Sequence, residues 1–235
     1  MLVYGKNVLK EVVTQNKKIY KAYIQKGIND KSIAELLKDV NVYQVEKREL
    51  DRLTNGNHQG IALEIEGYNY YDEKEVLNKL KNDSFIVILD HIEDPHNFGA
   101  IIRTCEAAGV DYIVIPKNRS VSINSTVMKV SVGATNLVKI AKVVNINNFI
   151  SKLKKQNTWI IGTSLQDCVA YTDVDYKDKV ALVIGNEANG ISPLVKKNCD
   201  FLVKIPMIGK INSLNASVAA GIMIYEVIRQ RGKNE

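Results

Sequence analysis

The chain has 235 residues, enough for one large domain or two modest ones, and its 46% hydrophobic content supplies a core and excludes an intrinsically disordered chain. A net charge of +6 with a pI of about 9.0 favours a polyanionic partner. Cys105, Cys168 and Cys199 stand alone at no metal or redox spacing, the opening Met1–Lys6 lacks a signal-peptide core, and no run approaches roughly 18 apolar residues, so a disulfide scaffold and a membrane span are excluded and a soluble, cytoplasmic protein is expected.

Residues 1–66 read as a small α/β unit. Val8, Leu9, Val12 and Val13 mark a helix, Ile19 to Ile24 a strand, Ile33 to Leu37 a second helix, and Val40 to Val45 and Gly60 to Ile65 two further strands. Asn55, Gly56 and Asn57 signal a turn before His58-Gln59-Gly60. Lys17, Lys18 and Lys21 with Tyr20 and Tyr23 read equally as an RNA face or a solvated edge strand. Residues 67–83 are polar and tyrosine-rich and are expected to form a linker with one short helix.

Residues 84–235 alternate apolar strands with helices. Strands are expected at Phe85–Leu89, Tyr112–Ile115, Leu137–Val143, Trp159–Gly162, Val180–Ile184 and Phe201–Ile205. Helices are expected at Gly99–Ala108, Asn124–Val130, Ile146–Lys154, Ser192–Lys197 and Leu214–Arg229. Alternation of this kind, with strands as continuously apolar as Ala181–Ile184, predicts a parallel, doubly wound sheet buried on both faces. Such sheets bind ligands outside the carboxyl ends of their strands. Three marked segments occupy that position: Ile88–Thr104, Leu182–Ser192, and Ile205–Met207 followed by Ile211–Ala219.

Each segment has a bland and a functional reading. Gly185 to Ser192 approaches a phosphate-binding loop, but Ile191 stands where the lysine is required, and no G-x-G-x-x-G fingerprint occurs in the chain. A plain glycine-rich turn is the alternative; Glu187, a carboxylate between two glycines, favours function. Pro95 and Asn97 suit a helix start, and Arg103 lies among Ile101, Ile102 and Cys105, where a structural ion pair is the simple alternative to a functional guanidinium. Ser213 and Asn215 flank the start of the last helix, whose Ala216, Ser217, Ala219, Ala220 and Gly221 suit close packing. Asp90, His91, Glu93, Asp94 and His96 have the composition of a metal site, but Pro95 prevents regular helical presentation, and no metal is expected.

In their order and contents the three segments resemble the signature motifs of the SpoU (TrmH-type) branch of SPOUT methyltransferases. Tyr4-Gly5 and His58-Gln59-Gly60 are similar to the ribosomal-protein-like RNA-binding domain of its 23S rRNA branch, and Asn118-Arg119-Ser120 and Lys129–Ala134 agree with that branch. The resemblance implies a parallel α/β domain over 84–235 with a C-terminal trefoil knot, preceded by an RNA substrate-binding domain over 1–66 and a 67–83 linker. It implies S-adenosyl-L-methionine as methyl donor, held by Thr163, Gly185, Ile205 and Leu214, and a ribose 2′-hydroxyl of RNA as acceptor. Arg103 would act at that hydroxyl, Asn97 and Glu187 would orient it, and Ser213 and Asn215 would complete the site, in a homodimer. A guanosine of the peptidyl-transferase loop of 23S rRNA is the implied target, tRNA the alternative, and DNA is not expected. A non-catalytic RNA-binding factor on the same scaffold is the competing reading.

Overall fold

The computed structural model describes residues 1–54, 56–166, 168–186, 188–210 and 213–232. In chain order the elements are β1 (Leu2–Tyr4), α1 (Lys6–Thr14), β2 (Ile19–Gln25), α2 (Lys31–Leu36), β3 (Val42–Val45), α3 (Lys47–Leu53), β4 (Ile61–Ile65), α4 (Glu73–Asn78), β5 (Phe85–Asp90), α5 (Pro95–Ala107), β6 (Tyr112–Pro116), α6 (Ser125–Ser131), β7 (Ile140–Val143), α7 (Ile146–Lys154), β8 (Trp159–Thr163), β9 (Val169–Ala170), β10 (Val180–Gly185), α8 (Pro193–Asn198), β11 (Phe201–Lys204) and α9 (Ala216–Gln230). They form two compact units, one of residues Met1–Asn69 with Ile123–Asn136, the other of Tyr70–Ser122 with Leu137–Glu235. The mid-chain segment carrying α6 thus belongs with the first unit, which a linear division of the sequence does not separate.

The first unit is a mixed four-stranded sheet in the order β1-β4-β2-β3, antiparallel except for the parallel β2–β3 pair. Val8, Leu9 and Val12 recur at helical spacing and are the buried residues of α1. α6 packs on α1 and β1, and the Asn124 side chain caps it by accepting from the Val127 amide.

The second unit is a seven-stranded sheet in the order β7-β6-β5-β10-β8-β11-β9, with every pair parallel. All six residues of β5 and of β10 are buried. Alternate positions explain this. Ile86, Ile88, Ala181 and Val183 share a core with Ile146, Phe149, Ile150 and Leu153 of α7 and Val195 of α8. Val87, Leu89, Leu182 and Ile184 are buried too, and α9 packs on β10 and on α5. Helices α5, α7 and α4 start where side chains satisfy free amides: Asp94 accepts from His96 and Asn97 ahead of Pro95, Asn145 accepts from Asn148, and Asp72 and Glu75 close a reciprocal capping box.

The structure adds three elements that apolar periodicity does not announce. β1 and β9 have three and two residues, and α3 buries only Leu50. The strand expected from Leu137 begins at Ile140, because Leu137 is exposed. The tyrosine-rich stretch holds α4, and Tyr71 joins the sheet edge, its amide donating to the Ile140 carbonyl and its carbonyl accepting from Lys142. Arg231, just past α9, donates to the carbonyls of Tyr176, Asp83 and Asp178, fastening the end of α9 to the segments that lead into β5 and β10. Replacing Arg231 with Ala removes charge-assisted bonds worth about 2 kcal/mol net, so thermal denaturation is expected to show a melting temperature lower by about 4–8 °C.

Candidate active site

β5 and β10 are neighbours in register, with Asp90 opposite Gly185, so the first two marked segments begin side by side at one sheet edge. Side chains then lock them together. Asp90 is 1% exposed, and an isolated buried carboxylate is costly unless its oxygens are satisfied. One oxygen accepts the Ser192 amide at 2.7 Å, and the other faces His91 Nδ1 at 2.5 Å. The carboxylate is an acceptor, so the Nδ1–H of His91 is the donor. Asn186 Nδ2 donates to the His91 carbonyl at 2.9 Å. His91 has φ 63°, a left-handed conformation uncommon for a side-chain-bearing residue, and these bonds hold it there.

The second segment also closes on itself. The Asn186 amide donates to the Gly190 carbonyl at 3.1 Å, and the Gly190 amide donates back at 2.8 Å. Gly190, at φ 63°, makes the turn. A Cβ at Gly185 would lie 2.1 Å from the Gly190 carbonyl carbon, so residue 185 has to be glycine for the loop to fold over it.

The third segment reaches the same edge through α9. Asn215 is its N-cap: Oδ1 accepts from the amides of Ser217 at 2.9 Å and Val218, while Nδ2 donates to Asn97 Oδ1 at 2.9 Å. Asn97 is 7% exposed. The first and third segments, 118 residues apart in this bond, are therefore joined through two asparagines.

Where these loops meet there is a cleft of about 520 Å³, within the ordinary range for small-molecule sites. Thr163, Gly185, Ile205 and Leu214 all line it, and so does Ser213. Ile184, Ile191 and Val203 supply apolar wall, Ser164, Gln166 and Asn186 polar groups, and Lys196 and Lys204 the cations. Asn97 and Asn215 stand beside it at the α5–α9 junction rather than in its lining. Arg103 is exposed on α5, has no ion pair among the described residues and does not line the cleft. Glu187 lies outside the described residues.

Sequence reasoning assigned no role to Asp90 as a hub, and a lone acidic residue ending a strand gives no signal of one. The acidic and histidine cluster is divided among structural tasks, with Asp90 paired to His91 and Asp94 capping α5. No group of three metal-ligating side chains occurs among the described residues. Burial pushes the Cys199 thiol up to about 12 and raises that of the wholly buried Cys105, so neither is a thiolate nucleophile at neutral pH.

The SpoU rRNA Methylase family model matches residues 84–225, and a model described as RNA 2′-O ribose methyltransferase substrate binding matches residues 2–71. A Staphylococcus haemolyticus protein assigned to the TrmH family of tRNA/rRNA methyltransferases is 42% identical over 98% of this chain and 96% of its own length. The AdoMet-bound rRNA methyltransferase from Sinorhizobium meliloti is 25% identical with a TM-score of 0.77, covering 97% of this chain and 86% of that one. The A. aeolicus TrmH/SpoU tRNA modifying enzyme is 38% identical with a TM-score of 0.60, over 68% of this chain and 81% of that one.

The Gly185 contact gives a direct check. In Gly185→Ala the new methyl group meets the backbone of Gly190 and Ile191, costing about 1–3 kcal/mol or more. The melting temperature is expected to fall, and the Gly190 amide to lose its protection from hydrogen exchange, measured by NMR.

Proposed function

The chain belongs to the SpoU rRNA Methylase family, and on that footing we propose that it transfers a methyl group from S-adenosyl-L-methionine to a ribose 2′-oxygen of RNA. The observation that carries this reading is the convergence of the three marked segments on one cleft through the Asp90–Ser192, Asn186–His91 and Asn215–Asn97 hydrogen bonds. The residues present fit the cofactor. The cleft has apolar wall for an adenine ring, hydroxyl and amide groups for its polar edge, and Lys196 and Lys204 in its lining for a carboxylate. Bound there, the cofactor supplies an activated methyl group on a sulfonium whose sulfur leaves neutral.

Thr163, Gly185, Ile205 and Leu214 hold the cofactor, and Ser213 extends the lining toward the acceptor. Asn97 acts through Asn215, setting the start of α9 against the cleft. Glu187, next to Asn186 in sequence, orients the hydroxyl. With little help needed by the leaving group, the chain's main work is to position and activate that hydroxyl. Arg103 does so electrostatically: a guanidinium is a poor proton acceptor, so it stabilises the developing alkoxide and orients the nucleophile rather than removing the proton.

An exposed arginine off the cleft suits a site completed by a second copy. α9 offers a surface for it: Ile224 and Val227 are buried within the unit, but Val218 and Tyr225 are about half exposed. We therefore propose a homodimer, with residues 84–235 carrying the reaction in a trefoil-knotted domain and 1–66 recognising the RNA beyond a 67–83 linker. The proposed target is a guanosine in the peptidyl-transferase loop of 23S rRNA, supported by the resemblance of the small unit to that branch; tRNA is the alternative.

Labelled methyl transfer, followed by nucleoside analysis of the RNA, tests the reading: a 2′-O-methylnucleoside is expected, and an RNA with 2′-deoxyribose at the target is inert. Arg103→Ala is expected to abolish transfer, a loss of 10²-fold or more, while cofactor binding measured by calorimetry is retained. Near-normal turnover would remove Arg103 from the mechanism. Light scattering is expected to give about twice 26.3 kDa; a monomer at micromolar concentration would contradict the dimer.

A further inference from the structure

The two faces of the small unit's sheet differ in β1, β2 and β4. On one, Val3, Ala22, Ile24, Ile61, Leu63 and Ile65 are all 6% exposed or less, while Val42 of the edge strand β3 on that face is 40% exposed. The other carries Leu2, Tyr4, Lys21, Tyr23, Gln25, Tyr43, Val45, Ala62 and Glu64, as the register and the alternation of side chains require. Only part of that second face is closed: Leu50 of α3 packs with Val45 and Ala62, with Leu2, Tyr4 and Tyr23 at the margin. What remains open is aromatic. Tyr43, Tyr23, Ala62 and Tyr4 stand opposite one another across β3, β2, β4 and β1, a row of three tyrosines in four strands.

The rings of Tyr23 and Tyr43 are stacked, with centroids 5.7 Å apart and planes at 26°. Tyr43, on the edge strand, is 47% exposed, so the stack ends on a ring open to solvent. Its inner member is anchored, because the Tyr23 hydroxyl donates to Glu64 Oε1 at 3.3 Å and Lys21 Nζ lies 3.6 Å from the other oxygen. The Lys21 ammonium offsets the charge of this carboxylate. Beside them the ladder is irregular between Ile19 and Lys21, leaving both Tyr20 and Lys21 exposed, and Lys18 Nζ sits 5.5 Å from the Tyr20 ring centre. Cross-strand aromatic pairing stabilises a sheet by about 0.2–1 kcal/mol, but that role does not need half of a large ring in water.

We propose that this face is a stacking platform for single-stranded RNA, with an unpaired base continuing the Tyr23–Tyr43 stack and Lys18 taking an adjoining phosphate. The proposal rests on the RNA substrate assigned above and names the form of RNA the small unit grips. Anchored rings beside lysines match unstacked bases on a charged backbone, whereas a duplex hides the faces of its bases. Tyrosine is well suited because little rotamer freedom is lost when it is already held by neighbours.

The test uses the full chain and a fluorescently labelled, unstructured oligoribonucleotide, read by anisotropy, against a duplex of the same length. Tyr43→Ala is expected to weaken single-strand binding by about 5- to 140-fold, the range for one base–aromatic stack, and to leave duplex binding unchanged. Tyr43→Phe keeps the ring and is expected to bind like the parent. Thermal melting of Tyr43→Ala within a few degrees of the parent excludes unfolding as the cause. Parent-like single-strand binding by Tyr43→Ala, equal losses in Ala and Phe, or equal losses for both RNA forms would overturn the platform. Methyl transfer is measured separately, so a chain that stacks RNA on Tyr43 but transfers nothing would refute the proposed activity and leave the platform standing.

Discussion

The carboxylate of Asp90 is the contact on which the candidate site depends. Wholly buried, it cannot be left unpaired, and the two groups that satisfy it come from different places: the ring of its neighbour His91 and the amide of Ser192, 102 residues away. The first bond holds a backbone turn that regular structure does not favour. The second brings the chain after the Asn186–Gly190 bridge back to the end of β5. Without this ion, β5 and β10 would still pair, because their register and burial come from alternating apolar residues. The loops beyond them would lose the Ser192 tie and the His91 brace, leaving the Asn186–His91 bond between them.

From that point the site is built largely of backbone and small side chains. Gly185 leaves room for its own loop, Gly190 turns it, and Asn215 caps α9 while reaching Asn97. A parallel sheet presents all its carboxyl ends at one edge, so three segments far apart in sequence meet without any of them crossing the core. This accounts for a cleft whose lining is mainly apolar and neutral polar, with two lysines among its residues. A pocket of that kind suits a neutral ring against its apolar wall and an anionic group beside Lys196 and Lys204.

Much of the second unit was legible in the sequence, because continuous apolar runs such as Phe85–Leu89 and Val180–Ile184 can be satisfied only in a sheet covered on both sides. The glycines of the second segment and the capping asparagine of the third were legible for the same kind of reason: few residues can do what those positions demand. Other features were not. α3 has one buried residue in a charged heptapeptide, β1 and β9 are too short to display a repeating pattern, and Leu137 is apolar yet exposed. The grouping of residues 123–136 with the first unit depends on packing against α1 and β1, to which local pattern is blind. The tyrosines of the small unit could be noticed in sequence, but their alignment into one row is set by register alone.

If the three strand-end segments form one cofactor cleft, hydrogen–deuterium exchange of the full chain, with and without saturating S-adenosyl-homocysteine, reads it most directly. Protection confined to the peptides around 163–166, 184–192 and 203–219 is the predicted result. Protection centred elsewhere in the chain, or none at saturating ligand, would contradict it.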